Sequence, residues 1–324
     1  MEQNTQNWWR KAVLGTCKEH KMKPVHHIKI TKGISVSELL KTMEATNVMG
    51  SGRLGRAVSI FEQMIKDKDC TIFLGIAGAM ISSGMREIML DMLESGHVNV
   101  FVTTGANLTH DLAEALGFAH YQGDENADDA KLYKKGLVRM YDSYMPAKVY
   151  EKMEDFFEKN WQVFEKCTDI KEFLWQIGRL TPKRSLLKIC YEKKLPVFCP
   201  AIADSGIGLM VWGRLAKGKN ISVNAFEDMK EILDIAWTCK RAGIIYLGGG
   251  VPKNYIQQSM QFSKGAYYGI QITTDREEYG GSSGAKLKEG ISWGKLREKA
   301  RYVDVSCDVT IALPILWAAV NQRI

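Results

Sequence analysis

The sequence lacks most of the features that assign a chain at a glance. Its seven cysteines, at positions 17, 70, 167, 190, 199, 239 and 307, are odd in number and include no C-x-x-C pair. That speaks against a disulfide framework and against a zinc site, and no metal is expected. Several thiols sit in apolar runs, as Cys199 does in P-V-F-C-P, which reads as buried cysteine in a reducing compartment. No apolar run approaches about 18 residues, so no membrane span is expected. The start, M-E-Q-N-T-Q-N-W-W-R-K, is too polar for a signal peptide, and a cytoplasmic location is expected. The net charge of +7 is spread without any run of five basic residues, so the basic balance reads as a solvated surface and not as a nucleic-acid site. Internal repeats, low-complexity segments and Pro/Gly linkers are also missing. Of the common ligand signatures, G-x-x-x-x-G-K-[ST] and H-E-x-x-H do not occur.

What is present is an alternation of short apolar runs with longer amphipathic stretches, the pattern of βαβ units. Strands are expected at 71–75, 98–103, 196–200, 243–247, 268–273 and 301–305, each rich in β-branched or aromatic residues. Ser35–Glu38 has the form of a capping box, as does Asn224–Glu227, whose helix Gly243 would close. The expected fold is α/β: a doubly wound, mostly parallel Rossmann-like sheet with helices on both faces. Residues 1–324 read as one domain, with an extension over 1–24 and a helical insertion over about 124–194 that lacks a convincing strand.

Ligands of open α/β sheets bind beyond the carboxyl ends of the strands. Five such ends read G-I-A-G-A-M, T-T-G-A-N-L-T-H-D, A-I-A-D-S-G-I-G, G-G-G-V-P-K-N and T-T-D-R-E-E-Y-G-G-S-S-G. Each carries glycine, and three of the five add small hydroxyl residues, a pattern that lets backbone N–H groups approach phosphate. A dinucleotide or phosphate ligand is therefore expected, held by an unusual arrangement. Asp204, Asp308 and Lys295 are the ionisable candidates at these ends. Each carboxylate is either a turn or cap residue or an acceptor for ribose hydroxyls. Lys295 is either a surface lysine on a helix beginning around Ser292 or a nucleophile, which needs a partly desolvated amine. His110 is the one histidine at a ligand-facing strand end.

The stretches I-F-L-G-x-A-G-A-M-I-S-S-G-M-R, V-T-T-G-A-N-L-T-H-D-L, P-V-F-C-P-A-I-A-D-S-G-I-G, L-G-G-G-V-P-K-N and S-G-A-K-L-K-E-G-I-S-W-G-K, in this order over roughly 25–320, resemble the deoxyhypusine synthase family. The resemblance implies a homotetrameric, NAD-dependent aminobutyl transferase that oxidises spermidine and carries the butylamine fragment as an imine on Lys295, beside Trp293 as an apolar wall. It implies that NAD is touched by Gly78, Ala79, Ser82, Thr104, Gly105, Ala106, Asp204, Gly248, Gly249, Gly250, Thr274, Asp308 and Val309. Carried over in the same way, the amine is held by Gly280, Ser283, Gly284, Glu289 and Trp293, with His110 and Asn254 standing where the family has other polar residues. His110, Leu209, Tyr279 and Ser282 replace family carboxylates, and Asn254 replaces a histidine. This pattern is similar to the deoxyhypusine synthase-like branch. It implies a donor of the spermidine, putrescine or agmatine class and a small-amine acceptor, with a protein lysine or a non-catalytic NAD-binding paralogue as alternatives.

Overall fold

The computed structural model describes residues 23–324; Trp8 and Trp9, and nearly all of the proposed extension, lie outside the described residues. Six parallel strands form the main sheet: β1 (Cys70–Ile76), β2 (Val100–Thr103), β6 (Val197–Phe198), β7 (Arg241–Leu247), β8 (Ala266–Thr273) and β9 (Leu296–Ser306). Their spatial order is β6-β2-β1-β7-β8-β9. Counted along this sheet alone, that is the dinucleotide-fold order 3-2-1-4-5-6, with the chain reversing direction between β1 and β7.

Alternate strand residues feed two separate cores, as a doubly covered sheet requires. Ile72, Leu74 and Ile76 of β1 join one apolar cluster while Phe73 joins the other with Tyr246 and Ile244. The helices that cover them are α1 (Val36–Thr46), α2 (Met49–Lys66), α3 (Arg86–Glu94), α4 (Gly105–Ala115), α5 (Asp129–Lys134), α6 (Val149–Phe164), α7 (Ile170–Leu180), α8 (Leu186–Lys193), α9 (Gly206–Leu215), α10 (Ala225–Thr238), α11 (Gly250–Gln261) and α12 (Val309–Asn321). Among the described residues no helix is long and apolar enough to cross a membrane.

Local signals held where a cap fixes them. Ser35 and Glu38 form the expected reciprocal box at α1. Asn224 caps α10 through Phe226 N at 2.9 Å, but the helix stops at Thr238 and Gly243 lies inside β7. The cause is the Lys240–Arg241 pair, which salt-bridges Asp67 and Asp69 and so begins the strand earlier.

The insertion differs from expectation in one respect. It contains β4 (Leu137–Met140) and β5 (Ser143–Pro146), which pair antiparallel, and β3 (Tyr121–Gln122) joins them in a three-stranded sheet. These strands are too short to show a period in sequence, and they are secured from outside by burial of Met145 and Val149. The helical part packs through Phe156, Phe157, Phe164 and Phe173, whose rings lie 5.2–6.3 Å apart in contacting pairs.

Candidate functional site

At the carboxyl edge, the reversal between β1 and β7 opens a crevice lined largely by backbone. The turn after β1 carries Gly78 at φ +71°, and Thr104 donates from its Oγ1 to Gly78 O at 2.6 Å. Thr104 also caps α4 by accepting from Asn107 N at 3.2 Å, so one hydroxyl ties two ligand-facing turns together. Ala79 accepts from Ser82 Oγ at 2.9 Å, closing the first turn on itself. Gly105 abuts Ser205 and Asp204 so closely that no Cβ fits there, which draws the β2 and β6 turns together beside Ala106. Ser205, not Asp204, caps α9, and the exposed Asp204 carboxylate has no hydrogen bond among the described residues.

A cavity of about 180 Å³ in this crevice is lined by Gly78, Gly248, Gly249, Thr274, Asp308 and Val309, among others. Asp308 caps α12, accepting from Thr310 N and Oγ1 at 2.7 Å, and these bonds hold its pKa below the usual carboxylate value. The residues fit a dinucleotide. The backbone is bare at Gly78 and Gly248–Gly250, the amino end of α12 opens on the cavity, and a free carboxylate stands at Asp204. The glycine triplet follows β7 and not β1, so no G-x-G-x-x-G run lies in the turn after the first strand.

A second cavity, of about 380 Å³, is lined by Asn254, Gly280, Glu289, Trp293 and Lys295, and by Lys253, Gln257 and Lys286. Lys295 is half-buried, with its Nζ 4.9 Å from the centre of the Trp293 ring, a cation–π distance. Its backbone is fixed at both ends, since Lys295 N donates to Gly290 O at 2.8 Å and Ala266 N donates to Lys295 O at 3.0 Å. Gly294 supplies the left-handed φ of +72° that sets the lysine beside the indole.

Several expectations are corrected here. Lys295 is not at a carboxyl strand end and not on a helix; it precedes β9, level with the start of β8. The cavity reaches it by running down the flank of α11. Trp293 is 56% exposed, so the apolar wall is open on the isolated chain. Ser283 and Gly284 do not line the cavity. Ser283 accepts from Gly250 N at 2.6 Å, and Gly284 packs on the Arg276 backbone without room for a Cβ. His110 lies in neither cavity but on α4, bonded to His120. No residue lines both cavities.

Lys253 is the residue that sequence reasoning passed over. It is 3% exposed, and its Nζ donates to Ser282 O at 2.5 Å and Ala285 O at 2.6 Å, stapling the 280–285 loop to α11. Burial pulls its pKa down to about 8, against the opposing pull of Asp304, Glu289 and Asp275. Burial in turn raises the pKa of Asp304. A signal did exist: a lysine in the first turn of a helix opposes the helix dipole and needs a reason to be there.

Known proteins resemble this chain over most of its length. The deoxyhypusine synthase family model matches residues 38–320. The chain is 43% identical over 304 residues to "Probable deoxyhypusine synthase 1" of Methanosarcina acetivorans, covering 93% of this chain and 95% of that protein. It is 41% identical over 295 residues to the protein of the same name from Archaeoglobus fulgidus, covering 91% and 96%. A crystal structure assigned to a deoxyhypusine synthase of Entamoeba histolytica superposes with a TM-score of 0.60 at 19% identity, covering 90% of this chain and 94% of that one, a likeness of fold.

Proposed function

From membership of the deoxyhypusine synthase family, to which this chain belongs, we propose an aminobutyl transfer in which Lys295 is the covalent carrier and a small amine is the favoured acceptor. The family's chemistry is NAD-dependent aminobutyl transfer from spermidine to a protein lysine. NAD, when bound, supplies an acceptor and later a donor of hydride at the C–N bond being remade. The single observation that carries the proposal is Lys295 in a cavity with Trp293 and Glu289.

The roles follow from chemistry. Glu289 offers a carboxylate for a substrate ammonium, a charge-assisted contact worth roughly 1.5–3 kcal/mol. Trp293 presents a π face to cationic nitrogen. Lys295, once deprotonated, attacks the oxidised carbon of the donor, and the departing amine leaves with the displaced C–N electron pair and a proton. The same exchange in reverse passes the fragment to the acceptor nitrogen. Gly78, Thr104, Asp204, Gly248–Gly250 and Asp308 would hold the cofactor.

The small-amine preference rests on the replaced carboxylates: Leu209 and Tyr279 are exposed and uncharged, and His110 and Asn254 carry no negative charge. Modification of a protein lysine is the second reading, favoured by the names of relatives above 40% identity. We also propose that the site is completed in a homotetramer. The separation of the two cavities supports this, as do Leu209, Trp212, Phe226 and Trp237, left exposed on α9 and α10.

The test is borohydride trapping in the presence of NAD and spermidine, followed by mass analysis. A butylamine adduct on the Lys295 peptide is expected. Its absence with every polyamine tried would overturn the transfer chemistry, and release of the fragment only to a protein lysine would overturn the small-amine preference.

A further inference from the structure

A third cavity, of about 430 Å³, lies between α2 and β9 and is lined by Arg53, Arg56, Lys286, Tyr302 and Asp304 together with the 47–49 turn. Arg53 and Arg56 are exposed, and neither makes a salt bridge or hydrogen bond among the described residues. Arginines elsewhere on the surface are not left bare. Arg139 is held by Asp129, and Arg184 by Glu87, Asp91 and Glu94.

The two guanidinium groups stand three residues apart on α2, so they leave the same face of the helix. The positions three and four residues from either one hold Met49, Gly50, Gly52, Ala57, Ser59 and Ile60, with no carboxylate among them. Like charges at this spacing repel, and nothing on the helix offsets them. Asp304 offsets them only in part. Its Oδ1 already accepts from Leu287 N at 3.0 Å, and burial raises its pKa against the pull of that bond and of Lys253, Lys286 and Arg53. Three cations against one carboxylate leave two positive charges in excess. A phosphoryl group answers that excess, because it carries close to two negative charges and its oxygens accept paired N–H bonds from a guanidinium fork. Val48 and Met49, exposed on the same lining, offer apolar surface to a carbon skeleton.

Lys286 is the one residue that lines both this cavity and the amine cavity. Its Nζ lies 2.9 Å from Oε1 of Glu277, a residue that lines the amine cavity. The pair is open to water, with side chains 66% and 57% exposed, so it is weakly held and the flexible lysine stem can be redirected.

We propose that the third cavity binds a phosphoryl anion between Arg53 and Arg56, and that the anion draws Lys286 off Glu277. The released carboxylate then joins Glu289 as a partner for cationic nitrogen in the amine cavity. That second step rests on the aminobutyl-transfer reading; the anion site itself does not.

The experiment titrates the full chain by calorimetry at low salt, with excess NAD present to occupy the crevice. The probes are inorganic phosphate, glycerol 3-phosphate and, as a carboxylate control, succinate. A phosphoryl probe should bind, and the tighter of the two tells a free oxyanion from a phosphate ester. Substituting Arg53→Gln and Arg56→Gln together, at exposed and unpaired positions that leave the fold intact, should weaken binding at least about tenfold through lost charge-assisted bonds. No phosphoryl binding, equal binding in the double variant, or tighter binding of succinate would overturn the site. Spermidine titrations then test the coupling. Phosphate should tighten spermidine binding about fivefold in the wild type, whereas Lys286→Met, with Glu277 already released, should show the tighter affinity without phosphate and ignore its addition. A response to phosphate that survives in Lys286→Met would overturn the coupling, as would its absence in the wild type. Failure of the transfer reading is seen separately, as absence of a Lys295 adduct, and leaves phosphate binding and its loss in the arginine variant still decisive for the site.

Discussion

The two cavities of this chain are built from different materials. The crevice between β1 and β7 is made of backbone: bare glycines, helix amino ends and hydroxyls that tie one turn to the next. The cavity around Lys295 is made of side chains whose charges and burial must balance one another: Lys253 against Asp304, Glu289 and Asp275, and Lys295 against Trp293. A backbone site is broken first by added volume. A side-chain site is broken first by a change of charge.

That contrast can be broken or sharpened by substitution, and the largest effect should come from Lys295. Lys295→Ala removes the carrier and should lower transfer by at least about 10³-fold, with NAD affinity, read by calorimetry, nearly unchanged. Equal loss of both would merge the two sites into one. Next comes Gly249→Ala, whose added methyl must strike Ser283. Overpacking of this kind costs roughly 1–3 kcal/mol, and NAD affinity should fall about 10–100-fold, a change visible in cofactor titration.

Lys253→Met should have an intermediate effect and a pH signature. It strands the Ser282 and Ala285 carbonyls at a cost of roughly 1–3 kcal/mol, seen as a lower denaturation midpoint and a raised KM for amine. The folded pKa of Lys253, about 8, lies below its ordinary 10.5. Between those values the unfolded chain binds more protons, so this group's contribution to stability rises with pH. The stability gap between wild type and Lys253→Met should therefore widen from pH 8 to pH 10; a gap that narrows would contradict burial as the cause. The smallest effect belongs to Trp293→Leu. Loss of an exposed cation–π contact is worth about 0.5–1 kcal/mol, so amine KM should rise only a few-fold.

The same contrast explains what could be read without coordinates. The sheet was legible because Ile72–Ile76, Val100–Thr103 and Ile244–Leu247 are apolar runs buried on both faces, and such runs declare themselves in one dimension. The crevice was legible for a related reason, since glycine at successive strand ends marks backbone exposed to a ligand. The short strands β3–β5 were not, because two to four residues carry no period and their stability comes from contacts made elsewhere. Lys253 was hidden for a third reason. A buried lysine and a solvated one look alike in sequence, and only the Ser282 and Ala285 carbonyls tell them apart. The placement of Lys295 ahead of β9 was hidden too, because the motif names the residue but not the side of the sheet from which the cavity approaches it.

The bond from Gly250 N to Ser283 Oγ joins the two sites mechanically. It ties the turn that would seat a nucleotide to the loop that walls the amine, with Gly249 pressed against the same serine. Ordering one loop thus removes freedom from the other before its own ligand arrives, so whichever guest comes first lowers the entropic cost for the second. A single hydroxyl makes the order of arrival thermodynamically visible: tighter polyamine binding in the presence of nucleotide must be matched by an equal tightening in the opposite direction.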